Sequence, residues 1–104
     1  MLSSDKEKII DVFNHIKNDK VSSLDELAVS ILLKTYLIYR RNSDSSYQLS
    51  SNGKVLRRML KYDIDFQTEL IRTCECQNNT SRSYEECLSG AIYFASKYIR
   101  CFKN

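Results

Sequence analysis

The sequence has no proline, no tryptophan, two glycines and a single histidine among 104 residues. Each scarcity excludes something. An all-β domain needs a turn every few residues, and turns draw heavily on glycine and proline. So few turn formers predict a small number of long helices. Two glycines cannot build a phosphate-cradling loop, and no G-x-S-x-G, P-loop or H-E-x-x-H pattern occurs. His15 stands alone beside an apolar stripe and reads as a boundary residue. No apolar run reaches the roughly 18–20 residues that cross a bilayer. The first residues, MLSSDKEKII, lack the basic start and apolar core of a secretory signal. The charge is not one-sided either. Sixteen Lys and Arg against thirteen Asp and Glu leave +3, short of a dedicated nucleic-acid binder. These absences predict a cytoplasmic protein without a membrane span.

What is present fits one globular unit. Hydrophobic residues make up 42% and charged residues 28%, near the globular norm. Residues 1–104 are read as a single all-α domain, a bundle of four main helices. The first covers about 5–17, with Ser4 as N-cap and Ile9, Val12, Phe13 and Ile16 on one face. The second covers 24–41, opened by a Ser23/Glu26 capping box and ending at Arg40 and Arg41. Leu24, Leu27, Ala28, Ile31, Leu32 and Leu37 give it a broad apolar face. A polar, serine-rich loop covers 42–52. The third helix covers 53–74, with Leu56, Met59, Leu60, Ile64, Leu70 and Ile71 as its core face and a break near 62–66. The fourth covers 84–102, opened by a Ser83/Glu86 capping box. Cys87, Leu88, Ala91, Ile92, Ala95, Tyr98, Ile99 and Phe102 line it, and Gly90, Ala91 and Ala95 are small enough for close approach. It reads as the central buried helix. Phe13, Tyr98 and Phe102 are expected in the core, and Tyr39, Tyr47 and Tyr62 at the surface.

Residues able to carry chemistry are sparse. Cys74 and Cys76 are spaced too tightly for the usual zinc pattern. With Cys87 and Cys101 they read as small apolar fillers, with a disulfide or metal role as the alternative. Asn78 and Asn79 begin glycosylation sequons, read as chance matches in a chain without a signal. Asp63 with Asp65, and Glu85 with Glu86, are neighbours that do not face each other on a helix. The expectation is therefore no enzyme, no catalytic residue, no metal and no cofactor. The sharpest charged feature is Lys54, Arg57, Arg58 and Lys61, which share one helix face. That face suits phosphate or an acidic partner, or it is a solvated back.

Three segments in succession carry a family likeness: SLDELAVSILLKTYLIYRRN, then GKVLRRMLKYDIDFQTELI, then CLSGAIYFASKYIRCF. Their order resembles the poxviral B-cell-lymphoma-2-like proteins, inhibitors of apoptosis and innate immunity, over about residues 20–102. Leu56–Asp63, LRRMLKYD, is similar to a degenerate death-motif helix. Ser89–Tyr98, SGAIYFASKY, is similar to the family's central helix, with Leu88-Ser89-Gly90 in place of the usual Trp-Gly-Arg. The resemblance implies a central apolar helix wrapped by amphipathic ones. It also implies a viral protein in the host cytoplasm that engages a host protein, in apoptosis or innate signalling.

Two surfaces are expected on this reading. A protein-binding groove would be lined by Leu56, Met59, Leu60 and Ile64 against Ile92 and Tyr93, and would take an amphipathic helix. A homodimer with a two-fold axis would cover excess apolar residues on the second and fourth helices, at Leu33, Tyr36, Leu37 and Phe94, with Tyr93 beside them. The competing function is a small nucleic-acid-associated protein using the basic face.

Overall fold

A computed structural model describes residues 3–74 and 82–103. Its elements are α1 (Ser3–Lys17), a 3-10 turn (Val21–Ser23), α2 (Glu26–Lys34), β1 (Ile38–Arg40), β2 (Tyr47–Leu49), α3 (Ser51–Tyr62), α4 (Ile64–Cys74) and α5 (Tyr84–Lys103). The protein is mostly helical, as expected. It differs from four simple helices near residues 24–49. There α2 is half its expected length, and a β-hairpin takes the place of its second half and of most of the serine-rich loop. Cys76, Asn78 and Asn79 lie outside the described residues, as do the side chains of Ser4, Cys74, Cys101 and Phe102.

Helix α5 is the axis of the fold and packs against α1, α2, α3 and α4. Leu88, Ala91, Ile92, Ala95 and Ile99 are buried along it, and Cys87 is buried at its start. Its first turn is closed as the sequence predicts: the Glu86 N–H donates to Ser83 Oγ at 3.2 Å, and that hydroxyl turns back to the Glu86 carboxylate. The small residues behave differently from one another. Ala91 and Ala95 are fully buried. Gly90 lies where an added Cβ would meet nothing within 4 Å, so it is not a close-approach site.

Helix α1 buries Ile9, Val12, Phe13 and Ile16. It ends when Asp19 enters the left-handed region at φ 57°. The Asp19 and Lys20 N–H groups then donate to the carbonyls of Ile16 and His15 at 3.1 and 2.8 Å. This closure satisfies carbonyls that a helix end otherwise leaves open.

The expected helix over 24–41 is corrected at both ends. Asp25, not Ser23, is the N-cap: its carboxylate accepts the Ala28 N–H at 2.8 Å, and a carboxylate there also meets the positive end of the dipole. Ser23 belongs to the preceding 3-10 turn. The helix stops at Lys34 because Tyr36 turns left-handed, φ 60°. The Tyr36 and Leu37 N–H groups fold back onto the carbonyls of Leu33 and Leu32 at 3.1 and 3.0 Å. The buried Thr35 hydroxyl takes up Ile31 O and Leu32 O, competing with helix continuation. The chain then reverses as a hairpin, with Ile38 opposite Leu49, Tyr39 opposite Gln48 and Arg40 opposite Tyr47. In the turn, Asp44 accepts from the Ser46 hydroxyl at 2.7 Å and its N–H at 3.0 Å. Those bonds hold the Asp44 carboxyl below the ordinary carboxylate range. On the outer edge of β2, the Ser22 hydroxyl both donates to and accepts from the Tyr47 backbone, in place of a third strand.

The hairpin delivers the chain to α3. Ser50 caps that helix by accepting the Gly53 N–H at 3.0 Å, and its hydroxyl donates to Tyr36 O at 2.7 Å. The Ser50 N–H donates to Leu37 O at 3.0 Å. The Leu37 carbonyl is thereby pressed against Gly53, where a Cβ would overlap it.

The predicted break falls on Asp63, which ends α3 and starts α4. Its carboxylate accepts the Phe66 N–H at 2.9 Å. The break rotates the faces of α4 relative to α3. Phe66 and Leu70 turn inward, whereas Ile64 and Ile71, expected in the core, are 75% and 48% exposed. Phe66 packs on Phe94 and Tyr98, with ring centroids 6.2 and 5.1 Å away.

Candidate functional site

The rotation of α4 leaves an apolar cleft between α1, α3 and α4. Its floor is Phe13 of α1, Leu60 of α3 and Leu70 of α4, all buried in the core. Its walls are Ile10, 40% exposed, and Ile71, 48% exposed. Its rim is polar: Asn14, Lys17 and Gln67. The cleft holds about 170 Å3. Ile10, Asn14 and Lys17 recur at helical spacing along α1, beside the stripe that fills the core. On α4, Ile64 and Ile71 share one face, with Gln67 between them. Gln67 is fixed, because its Nε2 donates to the Leu60 carbonyl at 2.8 Å, which satisfies a group near the end of α3. An apolar floor with a polar rim and half-exposed aliphatic walls is the form of a surface that docks another helix. Covering each half-exposed isoleucine is worth about 1 kcal/mol.

The expected groove residues do not form one surface. Leu56 and Ile92 are fully enclosed, and Leu60 is 7% exposed at the floor of the cleft. Met59 and Ile64 border a separate, shallower hollow at the α3–α4 corner with Val55, Arg58, Tyr62, Asp63 and Asp65. Tyr62 stands out there at 77% exposure, and Tyr93 is exposed on α5. The core took Leu56 and Ile92 because α3 and α5 pack directly on one another, which leaves no gap for a groove between them.

The expected dimer residues are also dispersed. Leu37 lies past the end of α2 and is buried at the base of the hairpin, beside Gly53, and Phe94 packs against Phe66 and Tyr98. Leu33 is partly buried, and only Tyr36 projects strongly. Because α2 ends at Lys34, Tyr36 and Leu37 do not extend an apolar face along it. Of the tyrosines expected outside, Tyr39 and Tyr62 are exposed and Tyr47 is partly buried.

On the basic face, Lys54, Arg58 and Lys61 are exposed. Arg57 is engaged: its Nη1 lies 2.9 Å from Asp19 Oδ2, tying α3 to the end of α1. The stripe therefore presents three cations rather than four.

A polar hollow gathers Lys8, Asp11, His15, Ser23, Asp25 and Tyr84. His15 Nδ1 lies 2.8 Å from the Asp11 carbonyl oxygen and 3.5 Å from its carboxylate. Among the described residues no hydrogen bond joins Ser23 to His15, so Ser, His and Asp share a hollow without being linked as a nucleophile and base. Burial, then the charges of Asp25, Asp5 and Asp11, push the Tyr84 hydroxyl above its ordinary range. The Lys8 ammonium sits over the Tyr84 ring, 5.7 Å from its centroid, the cation–π arrangement. Among the described residues no group of three His, Cys, Asp or Glu is placed to hold a metal ion, and no helix is long and apolar enough to cross a membrane.

Comparison with protein-family models, with curated proteins and with solved structures finds no match for this chain.

Proposed function

We propose that this protein is a non-enzymatic helical binding module that docks a partner protein on the α1–α4 cleft. The observation that carries this reading is the cleft itself. Ile10 and Ile71 are held half-exposed over a buried floor of Phe13, Leu60 and Leu70. An amphipathic helix with aliphatic residues three or four positions apart matches that shape. The resemblance to poxviral B-cell-lymphoma-2-like proteins puts host apoptosis and innate-immune signalling first among the pathways to test. A central helix packed by all the others is the arrangement that resemblance implies.

The test is site-specific photo-crosslinking in host-cell lysate. A crosslinker at Ile71 is expected to capture a defined protein, and Ile10→Asp should abolish that capture. A crosslinker at exposed Lys97, on α5, should not capture it. Equal capture from both positions, or capture that survives Ile10→Asp, refutes the reading. The nucleic-acid alternative predicts binding through Lys54, Arg58 and Lys61 that weakens steeply with salt. Docking on apolar residues should change little.

A further inference from the structure

Asn52 and Gly53 form the one Asn–Gly step in the sequence. That pairing is chemically reactive. The backbone nitrogen that follows an asparagine can attack the side-chain amide, and glycine, with no Cβ to crowd the ring, hinders the attack least. The attack needs a free Gly53 nitrogen and a backbone turned out of helical geometry. The structure withholds both. The Gly53 N–H donates to Ser50 Oγ at 3.0 Å. The Lys54 N–H donates to Ser50 O at 2.9 Å, so Asn52 is held inside the first turn of α3. Ser50 is itself anchored: its hydroxyl donates to Tyr36 O at 2.7 Å and its N–H to Leu37 O at 3.0 Å. The Leu37 carbonyl is packed against Gly53, with no room even for a Cβ between them. The Gly53 peptide therefore cannot swing toward the Asn52 side chain while this junction is closed.

We propose that Asn52 is a deamidation site latched by the Ser50 cap, and that it reacts only when the junction between β2 and α3 opens locally. In the open chain the Gly53 nitrogen gives its proton to solvent base and bonds to Asn52 Cγ. The Cγ–Nδ2 bond breaks, and ammonia leaves with a proton taken from water. Water then opens the cyclic imide. Cleavage of the new Cγ–N bond gives aspartate on the original main chain. Cleavage at the Asn52 backbone carbonyl gives isoaspartate, in which the main chain runs through the side chain. The two products differ in what they do to the fold. Aspartate in the first turn of α3 meets the positive end of the helix dipole, and the cap re-forms. Isoaspartate adds a methylene to the main chain, which carries the Gly53 N–H out of register with Ser50 Oγ. Opening is thus recorded irreversibly where α2, the hairpin and α3 are tied together. None of these residues lines the α1–α4 cleft.

Incubation in mildly alkaline buffer, followed by peptide mapping by mass spectrometry and enzymatic methylation of isoaspartate, reads the rate at Asn52. The folded wild-type chain should deamidate there at least about tenfold more slowly than the same chain unfolded in urea. Ser50→Ala, which releases the Gly53 N–H, should raise the folded-state rate about fivefold, the gain in open population when a helix cap is lost. Asp25→Ala is the control. It removes the cap of α2, a loss of the same order, but leaves the Ser50 latch in place, so its rate should stay near that of the wild type. Far-ultraviolet circular dichroism checks that both variants fold. Equal rates in the folded and urea-unfolded wild type overturn the proposal. So does a folded Ser50→Ala variant that reacts no faster than the wild type. So does an Asp25→Ala variant accelerated as much as Ser50→Ala, which places the reaction in the globally unfolded chain. Should Ser50→Ala not fold, the wild type below its urea midpoint decides. Local opening gives a rate that urea changes little, whereas a rate rising as steeply as unfolding itself overturns the latch.

Discussion

Gly53 is the residue on which the packing argument can be tested most sharply. It sits in the first turn of α3, where alanine is the better helix former by about 1 kcal/mol at most. On propensity alone, Gly53→Ala should stabilise. The structure predicts the opposite. A Cβ at position 53 would overlap the carbonyl oxygen of Leu37 and come within 3.0 Å of Leu49 Cδ2. The oxygen is backbone and cannot rotate away. It is also held by the Ser50 N–H at 3.0 Å, so moving it breaks the bond that joins the end of α2 to the start of α3. Overpacking of this kind costs about 1–3 kcal/mol, and the lost hydrogen bond about 1 kcal/mol more. Net of the propensity gain, Gly53→Ala should destabilise by about 1–3 kcal/mol. For a domain of this size that lowers the melting temperature by about 5–20 °C. Urea unfolding followed by circular dichroism measures it, with an unchanged slope showing that only stability has altered. Gly90→Ala is the matched control. Its Cβ would enter open space, so it should stabilise by up to about 1 kcal/mol. If Gly53→Ala proves as stable as the wild type, the proposed contact with Leu37 is wrong.

Other substitutions probe the capping and turn arguments. Tyr36→Gly should stabilise by about 0.5–1 kcal/mol, because it relieves a left-handed tyrosine that is 70% exposed and loses little packing; a loss in thermal unfolding would show that its ring makes a contact that matters. Asp25→Ala should cost about 1 kcal/mol, while Ser23→Ala should be nearly neutral, and the reverse order would restore the serine as the cap. Tyr84 keeps its proton more tightly in the folded chain than in the unfolded one. Its contribution is therefore fully present below about pH 10 and is lost as pH rises through the folded value. Stability measured from pH 9 to 12 should accordingly fall less steeply in Tyr84→Phe than in the wild type, and identical slopes would count against burial of the hydroxyl.

Local signals were legible where the residue that acts is also the residue that the pattern names. Ser83 and Glu86 close α5 as their spacing says, and Asp63 marks the break in a stretch whose pattern falters. The central place of α5 follows from its uncharged middle. The end of α2 was hidden for a physical reason. Helices commonly stop where a glycine turns left-handed, and here a tyrosine does so, against its own steric preference. Nothing local announces that. The β-branched and aromatic run from Thr35 to Tyr39 is the only cue to the strand beyond α2. Ser23 with Glu26 satisfied the capping pattern on paper, but Asp25 sits two residues later and reaches the Ala28 N–H first. The importance of Gly53 depends on where a carbonyl sixteen positions earlier comes to rest, which no window of sequence contains.

The candidate site was legible only in part, and the reason is phase. Read as one continuous helix, residues 53–74 place Ile64 and Ile71 with Leu56 and Leu60 on a single buried face. One extended residue at Asp63, with ψ 98°, resets that phase, and the face divides. Leu56 and Leu60 stay inside, Phe66 and Leu70 replace the isoleucines, and Ile64 and Ile71 turn outward. Ile10 escaped notice for the complementary reason: it adjoins Ile9, which belongs to the core stripe, and so reads as a widening of that stripe. Ile10, beside Ile9, and Ile71, beside Leu70, are apolar positions one step out of register with a well-formed core face. Ile10 on α1 and Ile71 on α4 flank the same cleft, whereas Ile64 borders the separate hollow at the α3–α4 corner. That coincidence between two helices, rather than the hydrophobicity of either, is the argument for a docking surface.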